Sequence, residues 1–87
     1  MSVHDLVAGN VPAEQFDLLL DGTDIRGQKV VEALRLHLVD GLTPKEACER
    51  TGANRGQFSL RLKGILDENR RVIQLLKFYA IDGGAGR

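Results

Sequence analysis

Apolar residues along the chain recur at helical spacing in short runs, each closed by a glycine-containing turn, and no segment shows the strict alternation of a strand. After a polar leader over residues 1–11, Pro12 stands where a first helical position is expected, and AEQFDLLL follows it. Phe16, Leu19 and Leu20 there share one face before DGTDIRG ends the segment. Gln28 to Val39 predicts a second helix, with Val30, Val31, Leu34 and Leu38 on one stripe and Asp40-Gly41 as its stop. Thr43-Pro44 with Glu46 three residues after the cap is a capping-box signature, and it opens a short helix, PKEACERT, that ends at Gly52. Asn54 is suited to cap a fourth helix from about Arg55 to about Leu66, with Phe58, Leu62, Ile65 and Leu66 inward. A fifth, from about Glu68 to Ala80, aligns Val72, Leu75, Leu76 and Tyr79. The expected fold is all-α, a small bundle of about five helices spanning residues 12–80, with a flexible leader before it and a frayed tail over 81–87.

The stretch GANRGQFS decides how the central helices are read. Two short helices meeting at a steep angle need a residue free to take positive φ in the turn and small side chains where they approach. Gly52 meets the first need; Cys48, four positions earlier, and Ala47 beside it meet the second. Phe58 is then the inward residue that locks the second helix to the first. The predicted element is a central helix-turn-helix, and its second helix carries Asn54, Arg55, Gly56, Gln57, Ser59, Leu60, Arg61 and Lys63 on or near an outward face.

Those residue types suit nucleic acid. Arginine can bridge guanine O6 and N7, glutamine can do the same with adenine N6 and N7, and serine serves a phosphate or a base edge. Thr43 and Lys45 at the start of the preceding helix, and Arg70 and Arg71 further on, complete the expected DNA-contacting set. Charge distribution points the same way although the net charge is zero. Residues 1–27 hold five acidic side chains against Arg26 alone, and the remainder holds eleven basic against seven acidic. Between Asn54 and Lys77 there are six basic residues and two acidic ones, so positive charge centres on the predicted reading helix.

Other chemistry finds little support. One cysteine, Cys48, excludes an intramolecular disulfide, and neither His4 nor His37 has a second ligand set nearby for a metal. GANRGQ lacks the Lys-Ser/Thr of a phosphate-binding loop and follows no strand, and Asp67-Glu68 is read as complementing a helix N-terminus rather than as an acid/base pair. No basic-then-apolar leader or apolar run of membrane length is present, which predicts a cytoplasmic protein. No enzyme activity, cofactor, metal or small-molecule effector is expected. Phe16, Leu19, Leu20, Val72, Leu75, Leu76 and Tyr79 offer more apolar surface than a domain of 87 residues needs, and are read as core plus homodimer interface. The competing class is a helical protein-interaction module whose turn motif is only structural.

The segment from Glu14 to Tyr79, above all HLVDG, KEAC and NRGQFS, resembles the PapB-type regulators of fimbrial adhesin operons; plasmid repressors of the KorA/TrfB kind are a related alternative. The resemblance implies a transcription factor that binds DNA as a dimer and assembles along AT-rich sites. It also implies base or backbone contacts for Asn54, Arg55, Gln57, Ser59, Arg61 and Lys63.

Overall fold

The computed structural model describes residues 6–84, with all side chains among them except Lys77 and those of 79–84. Four helices follow one another: α1 (Ala13–Asp21), α2 (Gln28–Leu38), α3 (Pro44–Thr51) and α4 (Arg55–Gly84). The all-α class stands, and the described residues include no strand. The count of about five is corrected to four, because the segments expected from Arg55 and from Glu68 are one 30-residue helix. Between Leu66 and Glu68 there is no proline or glycine to break it. Asp67-Glu68 therefore lies in a helix interior rather than at an N-terminus, where each carboxylate meets an arginine one turn on: Asp67 with Arg70 at 3.8 Å and Glu68 with Arg71 at 2.8 Å. Ile65 and Asn69, four residues apart on either side of the expected break, are both buried, so one face runs straight through it.

At about 1.5 Å per residue α4 is roughly 45 Å long. That one helix accounts for the 50 Å long axis of a body 23 by 21 Å in cross-section. Around its first half the other three helices close a core whose largest fully buried side chains are Phe16 from α1, Leu34 and Leu38 from α2, and Phe58 and Ile65 from α4. Ala33, Ala47 and Cys48 are the small members of the same buried core.

α1 is tied across to α2 by Arg35, whose guanidinium donates to Asp17 at 2.7 Å and lies 4.9 Å from the centre of the Phe16 ring. Its C-terminal end is held locally. Thr23 Oγ1 donates to the Leu20 carbonyl and accepts from the Ile25 amide, which turns Ile25 into the core.

The packed region begins before Pro12. Val11 is 3% exposed, and the amides of Gly9 and Val11 both donate to the Leu38 carbonyl at the end of α2. Gly9 and Gly41 meet backbone to backbone, both at positive φ; a β-carbon on Gly9 would stand 3.1 Å from the Gly41 Cα. Residues 1–5 of the leader, His4 with them, and 85–87 of the tail lie outside the described residues, and α4 continues through 81–84.

Candidate nucleic-acid interface

α3 is specified at both ends. Thr43 is extended, its Oγ1 accepts the Glu46 amide at 3.1 Å, and the Glu46 carboxylate accepts the Thr43 amide at 3.0 Å. The bond from the Thr43 backbone, then that with its side chain, hold the Glu46 carboxyl below the ordinary glutamate range. At the other end Thr51 Oγ1 donates to the Ala47 carbonyl and accepts from Ala53. Gly52 takes φ 81°, ψ 12°, and its amide closes the last turn onto the Cys48 carbonyl at 2.8 Å.

Three residues after α3, α4 begins. Asn54 Oδ1 accepts the Gln57 amide at 2.9 Å and the Asn54 carbonyl accepts the Phe58 amide at 2.8 Å, so this residue both caps and starts the helix. Phe58, 1% exposed, enters the core and meets the His37 ring edge-on at 5.6 Å. His37 Nδ1 lies 2.7 Å from the Leu42 carbonyl; a carbonyl only accepts, so Nδ1 carries the proton. His37 itself is intermediate in exposure. Its part in joining α2, the α3 entry and Phe58 needed three-dimensional contacts to be seen.

With Phe58 and Ile65 inward, helical spacing sets Gly56, Leu60 and Lys63 along the opposite ridge. Arg55 and Ser59 follow one flank of that ridge, and Gln57 and Arg61 the other. Asn54 and all seven of these side-chain positions are exposed, as are Thr43 and Lys45 at the start of α3. Arg55, Arg61 and Lys63 make no ion pair among the described residues. Leu60 is 58% exposed, an apolar side chain set between cations. Gly56 stands close behind the cap: a β-carbon there would lie 3.1 Å from Asn54 Oδ1, the atom that holds the Gln57 amide.

Arg70 and Arg71 are also exposed but lie about 22 Å along α4 from Arg55. Their charge is answered locally by Asp67 and Glu68, and two hydrogen bonds to Glu68 push the Arg71 guanidinium pKa up. The cations closest to the turn and those farther out are thus in different electrostatic settings.

The residues read as core plus interface divide. Phe16 is fully buried and Leu19 nearly so, Leu20 and Val72 are half-buried, and Leu75 and Leu76 are exposed at 41% and 53%. The Tyr79 side chain lies outside the described residues. Leu18 and Phe78, each 67% exposed, lie in the same apolar stretches but off the stripe that periodicity selects. A groove of about 550 Å³ runs between the outer face of α1 and the second half of α4, with Val7, Leu18, Val72, Ile73 and Leu76 on its walls.

α3 and α4 are thus joined by a capped three-residue turn with Gly52 at positive φ, leading into a helix that buries Phe58 and exposes basic and amide side chains. The profile of the adhesin biosynthesis transcription regulatory protein family (PapB) matches residues 1–79. The chain belongs to this family. It is 38% identical over 78 residues to the F1845 adhesin operon regulatory protein of Escherichia coli, a match covering 90% of this chain and 92% of that one. The AFA-III adhesin operon regulatory protein of the same organism is 38% identical over 79 residues, covering 91% and 78%. The crystal structure of E. coli FocB superposes with a TM-score of 0.78 at 33% identity, covering 87% of this chain and 86% of that one. As a member of the PapB family the chain falls among transcription regulators.

Proposed function

We propose that this chain is a cytoplasmic, sequence-specific DNA-binding regulator, that α3 and the first half of α4 form its DNA-reading unit, and that it acts as a homodimer or larger assembly on operator duplexes. The observation that carries the reading is the turn at Gly52, which fixes α4 with Phe58 buried and Arg55, Gln57, Ser59, Leu60, Arg61 and Lys63 exposed together. In this reading Arg55, Gln57 and Ser59 face base edges, and Leu60 provides an apolar contact of the kind a thymine methyl accepts. Arg61, Lys63, Thr43 and Lys45 face phosphates, Asn54 holds the helix start in position, and Arg70 and Arg71 add longer-range attraction. Relatives named for adhesin operons support an operon of that kind as the target. The chemistry proposed is binding alone, with no catalytic step, cofactor or effector.

Selection of sites from random duplexes tests the reading. A recovered consensus is expected, and Arg55→Ala is expected to lose about 1 to 3 kcal/mol on it while sparing scrambled duplex. Equal losses on both duplexes would remove Arg55 from base readout. The exposed Leu75, Leu76 and Phe78 favour a second reading, an apolar docking module; it takes over if variants of the basic face leave duplex affinity unchanged.

A further inference from the structure

Beside the turn lies a cleft of about 430 Å³, one wall of which carries none of the DNA-facing assignments above. One wall is the α1–α2 loop and the first turn of α2, with Arg26, Gln28 and Lys29; the other is the turn itself and the start of α4, with Gly52, Asn54 and Gln57. Among the described residues no acidic side chain lines it. Arg26 and Lys29 are exposed and make no ion pair among the described residues. The Lys29 side chain reaches over the turn: its Nζ lies 3.8 Å, and its Cδ 3.9 Å, from where a β-carbon on Gly52 would stand. Two cations from the otherwise acidic first third of the chain are therefore placed against the one turn that orients the reading helix.

We propose that Arg26 and Lys29 form a seat for a backbone phosphate of duplex DNA, adjoining the flank of α4 that carries Gln57 and Arg61. The proposal rests on the first half of α4 being the DNA-reading element, and it adds a contact from α2 that fixes where the duplex backbone passes. A phosphate in this cleft meets two positive charges, with the Asn54 and Gln57 side chains at its far wall. Such a contact carries no base information, so it contributes equally on every sequence and through counterion release.

The test measures the affinity of the full chain for its selected duplex and for a scrambled one across a salt series, comparing wild type, Arg26→Gln/Lys29→Gln and Arg55→Ala. For the double variant the proposal expects a similar fold-loss on both duplexes and a slope of log affinity against log salt shallower by about one. Both side chains are exposed and in no ion pair among the described residues, so the thermal unfolding midpoint and helical circular dichroism are expected to stay at wild-type values. An unchanged slope and affinity overturn the proposal, as does a loss confined to the selected duplex. Inorganic phosphate at matched ionic strength is the second arm. Protection of Lys29 from acylation by phosphate alone, with duplex giving none, assigns the cleft to a free anion and overturns the proposal. The underlying reading fails separately: if Arg55→Ala changes nothing while the double variant's slope becomes shallower by about one, the phosphate seat stands and base readout by Arg55 falls. Failure of the wild type to bind any duplex overturns both.

Discussion

Over its first half α4 is placed by the turn before it, with Gly52, the Asn54 cap and the buried Phe58 fixing where it starts, how it is angled and which side faces in. Over its second half it is held by one-turn ion pairs and half-buried Val72 and Ile73, and it exposes Leu75, Leu76 and Phe78. Under the proposed function the difference matches two demands. Reading base edges needs side chains held in a fixed pose, which local hydrogen bonds and a packed aromatic supply. Association between protein surfaces needs apolar area beside a groove, and an extended helix end provides it without disturbing the core.

The strongest way to break the contrast is to empty its anchor. Phe58→Ala is expected to destabilise the chain by about 3 to 5 kcal/mol, read as a fall in the urea unfolding midpoint, because it leaves a void among α1 to α4. Leu76→Ala, on the exposed side, should change that midpoint little. A midpoint equally insensitive to both would mean that the turn does not fix the helix.

Two glycines of the same motif region sharpen the point with opposite signs. Gly52→Ala places a β-carbon at φ 81° and should cost about 1 to 2 kcal/mol. Gly64→Ala sits inside α4, where the new carbon would meet Ile25 Cδ1 at a comfortable 4.0 Å, and should stabilise by about 0.5 to 1 kcal/mol. Thermal midpoints moving in the same direction would contradict this assignment of turn and helix interior. Gly56→Ala falls between: the helix gains propensity, but the β-carbon presses on Asn54 Oδ1 and so on the cap.

Much of this was legible in the sequence, and the reasons are local. Thr43-Pro44 with Glu46, Gly52, Asn54 and Phe58 each announce a specific backbone role through chemistry carried within a few residues. What was missed depends on distant partners. Asp67-Glu68 is as compatible with a helix start as with a helix interior, and only the burial of Ile65 and Asn69 on one continuous face chooses between them. Val11 stands alone in a loop with no periodicity to mark it as core, and Arg26 and Lys29 gain meaning only when the loop before α2 is brought beside Gly52.

The smallest expected effect is a pH dependence at the α3 cap. The Glu46 carboxyl is held below its ordinary range by bonds from Thr43, so its contribution is present above the unfolded glutamate pKa and is lost as pH falls through the lowered folded value. Glu46→Gln should therefore lower the thermal midpoint slightly at neutral pH, and the two midpoints should converge in acid. A difference that persists or grows in acid would place the effect elsewhere.

The central claim, that the first half of α4 reads DNA while its second half does not, is tested most directly by mapping backbone amide shifts as the labelled chain is titrated with its selected duplex. The account predicts the largest changes at Thr43 to Lys45 and Asn54 to Lys63, with weak ones at Leu75 to Phe78. Changes centred on Leu75 to Phe78, with the amides around Asn54 unmoved, would contradict it.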